Sequence, residues 1–177
     1  MYKIQVTSRI DLNGFIVAQL EGQSRWIKTA TDGLTDEQLH YRPTADTNSI
    51  SWLIWHLSRW RDRISSRIVS EDEIWVSGGW AKRYGMEAER TGLGDTQEQV
   101  GSFQPARDLL LGYADAVHQT LVNRVSGLTQ DQFEQPVSYT QDERLAWTAL
   151  VSVLSDSGQH IGQVAYLRGM VTGLGWC

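Results

Sequence analysis

The chain has 177 residues, enough for one domain that buries roughly two-thirds of its unfolded surface in a single core. Its 16 basic and 21 acidic residues leave a net charge of -5 with no run of like charge, which argues against nucleic acid or an anionic membrane as a partner. The one cysteine, Cys177, excludes an intrachain disulfide and a four-cysteine zinc site.

The start of the chain, MYKIQVTSRIDLNGF, lacks the basic stretch and apolar run of a secretory signal, and no apolar window of about 18 residues occurs to span a bilayer. A soluble, cytoplasmic protein is expected. From residue 10 onward, Ile10, Val17, Leu20, Ile27 and Leu34 fall on one face of a first amphipathic helix. Gly33 then closes it, and Thr35 opens a short helical turn in the connection that runs to Pro43.

A second helix follows, with Ser49 as N-cap and Ile50, Leu53, Leu57, Trp60, Ile64 and Ile68 as its apolar stripe. Residues 73 to 103 carry six glycines and no long stripe. Such a length points to a functional or crossing connection, with helical turns near Trp80 to Tyr84 and Thr96 to Phe103 and the rest covering one end of the fold as a partial lid. The third helix starts near Pro105 and runs through Leu110, Ala114, Val117, Leu121 and Val125 to Leu128. Gly127 and Thr129 repeat the glycine-then-threonine pattern of the first connection, which suggests two related helix hairpins. Leu150, Val153, Val164, Leu167 and Val171 mark the fourth helix.

No alternating segment with hairpin turn chemistry stands out, so the expected class is all-α: a single domain over 1–177, built as a four-helix bundle of two helix hairpins with a long crossover connection. Four of the eight tryptophans, Trp52, Trp55, Trp60 and Trp75, crowd one region, and core or groove lining is their plainer role than ligand stacking.

Of the four histidines, His40 falls in a connection and should be exposed. His160 lies in the fourth stripe, with Asp156 one turn earlier on the same face, and His56 sits at the edge of the second stripe. An isolated carboxylate in an apolar interior needs compensation. Two imidazoles and one carboxylate suit a divalent ion with an open position, and zinc, nickel or iron all fit that donor set. Spacing alone favours the plainer arrangement, an Asp156–His160 ion pair beside a core histidine. His118 has only Asp115 nearby in sequence and reads as structural or exposed.

Two stretches shift that balance. Leu34-Thr-Asp-Glu-Gln-Leu-His-Tyr-Arg-Pro43 with Asn48-Ser-Ile-Ser-Trp-Leu-Ile-Trp-His-Leu57 resembles the first hairpin of the DinB-like family of metalloenzymes. Asp156-Ser-Gly-Gln-His-Ile-Gly-Gln-Val-Ala-Tyr-Leu-Arg-Gly169 is similar to that family's last-helix motif. The resemblance implies a metal triad of one histidine from the second helix and two ligands four residues apart on the last, which maps onto His56, Asp156 and His160; Asp156 departs from the histidine that many members carry.

Family relatives include mycothiol-dependent maleylpyruvate isomerase and bacillithiol transferases, so the resemblance also implies a low-molecular-weight thiol cofactor and a small electrophilic substrate. Gln163 and Arg168 would orient a carboxylate-bearing molecule beside the metal, although a hydrogen bond between helices and a helix-end contact suit them equally. Two alternatives stay open: a metal-dependent hydrolase with His118 or a lid residue as base, and a non-catalytic small-molecule-binding or stress-response module. Exposed helix faces also suit a homodimer.

Overall fold

Four long helices account for most of the computed structural model, which describes residues 11–173 and 175. The first, α1 (Leu12–Thr31), is capped by Asp11, and the short α2 (Asp36–His40) follows it. Next come α3 (Ile50–Val69), three short helices α4 (Ile74–Ser77), α5 (Trp80–Tyr84) and α6 (Gln97–Gly101), and the long α7 (Arg107–Ser126). The chain ends with α8 (Gln130–Glu134), the strands β1 (Pro136–Tyr139) and β2 (Asp142–Leu145), and α9 (Ala146–Thr172).

The predicted stripes explain the packing. Each of α1 and α3 lies against both α7 and α9. Leu20, Leu53, Leu57, Ile64, Leu110, Val117, Leu121, Leu150, Val153 and Val164 are all buried, as their spacing requires. Val17 and Ala114 are half-buried, and Ile10 and Cys177 lie outside the described residues. The caps also follow the sequence. Ser49 Oγ accepts the amide of Trp52 at 3.2 Å, an interaction worth about 1 kcal/mol. Thr35 and Thr129 each form a reciprocal capping box with the glutamine three residues on. Their preceding glycines differ: Gly33 adopts a φ of +68°, whereas Gly127 stays right-handed.

Two expectations need correction. The chain is mostly helical as expected, but the expectation of no hairpin fails at one short antiparallel pair, in which Val137 faces Arg144 and Ser138 faces Glu143. Its two-residue turn is Thr140-Gln141, with Thr140 at φ +49°, so it carries none of the Asn-Gly or Gly-X chemistry that signals such a turn. The glycine-rich crossing segment, in turn, does not cover one end. It runs along α3 as a strap, where Asp95 Oδ2 accepts from Trp52 Nε1, Thr91 O from His56, Arg90 O from Arg59 and Glu89 O from Arg63. With the strap outside and α7 and α9 inside, every residue from Ile50 to Ser66 is buried. That is why α3 can carry Arg59, Arg61 and Asp62 in its interior.

The buried apolar residues form two clusters. One surrounds Leu53, Trp55, Tyr113 and Val164, and the other surrounds Leu20, Ile64, Leu121 and Leu150. On each long helix, polar residues fall between the two: Ser24 on α1, Ser58 and Arg61 on α3, His118 on α7 and Ser157 on α9. This polar belt contains the candidate site.

Candidate metal centre

His56, Asp156 and His160 come together where α3 meets α9. One ligand atom from each lies within 4.8 Å of the other two. An ion about 2.1 Å from each donor would draw these atoms closer together. His56 is buried, the His160 side chain is 16% exposed and the Asp156 side chain 41%, so the site opens on one side. Asp156 Oδ1 stands 3.5 Å from His160 Nε2, and the two imidazole rings meet edge to face at 5.1 Å between centroids.

Each imidazole is held by its other nitrogen. His56 Nδ1 lies 2.6 Å from the carbonyl oxygen of Thr91, and His160 Nδ1 lies 2.9 Å from Oε1 of Gln163. Both oxygens only accept, so each Nδ1 carries the proton and each Nε2 keeps its lone pair for a ligand role. Burial lowers the pKa of His56, the neighbouring His160 lowers it further, and the Thr91 hydrogen bond, Asp156 and Asp95 oppose them. The net downward shift favours the neutral form that coordinates. Trp52 stacks on the His56 ring at 4.5 Å with only 11° between planes, and Trp60 meets it edge-on. These contacts fix the ring's rotamer.

Thr91 and Gly92 are parts of the site that residue-type reasoning missed. Gly92 has a φ of +87°, and a Cβ there would come within 2.8 Å of both His56 Nδ1 and Trp52 Cζ2. Only glycine lets the strap approach closely enough for the Thr91 carbonyl to reach the imidazole. The glycine content of this segment was visible, but its contact with residue 56 was not.

The remaining candidates are placed as follows. Gln163 holds His160 and also lines an open groove of about 800 Å³ with Asn48, Leu53, Gln159 and Tyr166. Arg168 Nη1 donates to the carbonyls of Ala30 and Asp32, which closes the end of α1. His40 is half-buried rather than exposed, with Nε2 at 2.9 Å from the Pro105 carbonyl that can accept its proton. His118 is buried, and its carboxylate partner is Glu21 on α1, at 3.4 Å, not Asp115. Asp115 pairs instead with Lys28 at 3.2 Å.

A family model described as the DinB superfamily matches residues 19–164, a span that includes all three triad residues. The chain belongs to the DinB superfamily. No curated protein matches it in sequence. Among solved structures, this DinB protein is similar to a conserved protein from Enterococcus faecalis, with a TM-score of 0.82 at 21% identity over 93% of this chain and 99% of the other. That likeness extends the shared fold over nearly the whole of this DinB chain. Among its described residues, no helix is long and apolar enough to cross a membrane.

Proposed function

We propose that this DinB protein is a divalent-metal-dependent enzyme that uses a low-molecular-weight thiol as cofactor in a transferase or isomerase reaction on a small electrophile. The observation that carries this reading is the convergence of His56, Asp156 and His160, with both imidazoles held through Nδ1. Zinc or nickel suits two imidazoles and a carboxylate, and iron is the next candidate. When bound, the ion supplies a Lewis-acidic centre that favours the anionic form of a thiol or a water molecule.

The chain's own residues supply the rest. Thr91 and Gln163 aim the two imidazoles, and Trp52 and Trp60 keep His56 in place and dry. The groove lined by Asn48, Gln159, Gln163 and Tyr166 is large enough for a small organic thiol. Gln163 can meet that cofactor directly. A matching role falls to Arg168, one to two turns beyond His160 on α9. In this reading residues 1–177 form one domain, the four long helices are a bundle of two hairpins joined by the crossing strap, and the cytoplasm is the working compartment. A second copy of the chain packed on exposed helix faces completes the proposal.

The test is turnover of a panel of small electrophiles by metal-loaded protein, with and without added thiol, for the wild type and His56→Ala. Thiol-dependent turnover that His56→Ala abolishes is the expected result. Thiol-independent hydrolysis would replace the reading with a hydrolase on the same ligands. A protein with neither turnover nor metal would be a binding module, and the proposal would be wrong. The hydrolase has less support, because its histidine base, His118, lines a pocket to which none of the three candidate ligands contributes.

A further inference from the structure

Arg61 is 2% exposed, yet among the described residues it forms no ion pair. Its Nε donates to Ser157 Oγ at 3.0 Å and its Nη2 donates to Gln23 Oε1, both neutral acceptors. Asp156, next to Ser157 in the chain, acts on Arg61 only from a distance. A buried guanidinium without a carboxylate carries a desolvation cost that calls for an anion.

The space beside it supplies a place for one. A pocket of about 310 Å³ between α1 and α7 is lined by Arg61, Arg107, Lys28, Asp115, Ser24 and His118 among others. Arg107 likewise meets only carbonyls, those of Thr31 and Leu34, through Nη1. Lys28 and Asp115 neutralise each other at the rim. Among the described residues, two guanidinium groups around one small cavity therefore have no carboxylate partner.

His118 adds a second, independent feature. It is 3% exposed, and its buried Nδ1 has no hydrogen-bond partner among the described residues. Its Nε2 faces Glu21, a carboxylate that accepts from an N–H there and leaves Nδ1 as an acceptor. Burial lowers the His118 pKa; Glu21 opposes this, and Arg61 and Lys28 add to it, so the neutral ring is favoured. An orphaned buried acceptor beside unmatched cations selects an unusual ligand: an anion that also carries a proton to donate.

We propose that this pocket binds a small oxyanion bearing a hydroxyl group, with hydrogen phosphate as the type case. Its charged oxygens accept from Arg61 and Arg107, and its hydroxyl donates to Nδ1 of His118. Sulfate presents the same charge and shape without the proton, and a phosphate monoester at neutral pH has also lost it.

The experiment is isothermal titration of metal-free protein with inorganic phosphate, sulfate and a three-carbon phosphate monoester, repeated on His118→Leu and Arg107→Gln. Metal-free protein keeps phosphate from reporting on the triad, so failure here leaves the metal reading untouched. Phosphate should bind at one equivalent and at least about tenfold more tightly than sulfate or the monoester, the worth of one hydrogen bond to a charged group. His118→Leu should erase that preference, and Arg107→Gln should weaken both phosphate and sulfate. Circular dichroism checks that both variants fold, and the wild-type preference tests the claim without either. Equal affinity for phosphate and sulfate, or no phosphate binding by the folded wild type, overturns it.

Discussion

Two aspartates on neighbouring helices are treated in opposite ways. Asp62 on α3 is 1% exposed and surrounded by donors: the amides of Ile74 and Trp75 at 3.0 and 2.8 Å, Tyr113 Oη at 3.3 Å, and Arg59 and Arg124 at 3.6 and 3.5 Å. Burial pushes its pKa up, and the Trp75 and Ile74 amides and Arg59 oppose that shift. Asp156 on α9 is open to solvent on one side, and its close partner is a single imidazole that is itself aimed by Gln163. A carboxylate that holds a fold together collects fixed donors from several segments. Under the proposed metal reading, Asp156 stays accessible and is paired with the two other candidate ligands.

The sharpest way to break this contrast is Asp62→Ala. It removes the acceptor shared by the Ile74 and Trp75 amides and Tyr113, leaves Arg59 and Arg124 to Glu73 and Glu71, and should cost about 3–5 kcal/mol, read as a fall in the denaturant midpoint. Asp156→Ala, at a half-exposed position, should stay within about 1 kcal/mol of the metal-free wild type while losing most of its metal affinity. Equal stability losses in the two variants would dissolve the distinction.

Gly92→Ala comes next in size. The positive φ and the clash with His56 Nδ1 should weaken metal binding about 10–100-fold, with a stability loss of about 1–2 kcal/mol, because the Thr91 carbonyl is pushed off the imidazole. Gln163→Leu removes the other Nδ1 acceptor. It should cost a similar factor in metal affinity, with almost no change in the thermal midpoint, since this side chain is exposed.

The smallest effect is a pH dependence of the metal-free protein. His56 and His118 both have lowered pKa values when folded, so the unfolded chain binds more protons as pH falls. Stability should therefore be flat above about pH 6.5 and decline below it, as unfolded histidines protonate first. His118→Leu should make that decline shallower, and an unchanged slope would show that His118 does not contribute.

The same contrast shows what could be read from the residues alone. The four long helices, the serine cap of α3, the threonine caps of α2 and α8, and the turns at Trp80 and Thr96 follow from spacing and local chemistry, which act within a few residues. The three candidate ligands stood out because two are one turn apart and the third sits at the edge of an apolar stripe, but spacing alone favoured an ion pair beside a core histidine, and the family resemblance tipped the reading to a metal. The hairpin was not, because its four-residue strands are too short to alternate visibly and its turn uses Thr140 at a positive φ. The Thr91 carbonyl that holds His56 is backbone and has no residue signature. Glu21 and His118, or Asp62 and Arg124, meet only after α1, α3 and α7 pack. Long-range polar pairing needs the tertiary structure.

The most direct test of the central claim is titration of zinc into untagged, metal-free protein, side by side with His56→Ala and His160→Ala. One equivalent bound by the wild type and none at the same concentrations by either variant is the predicted result. Undiminished zinc binding in both variants would contradict it, because the ion would then be held by other side chains.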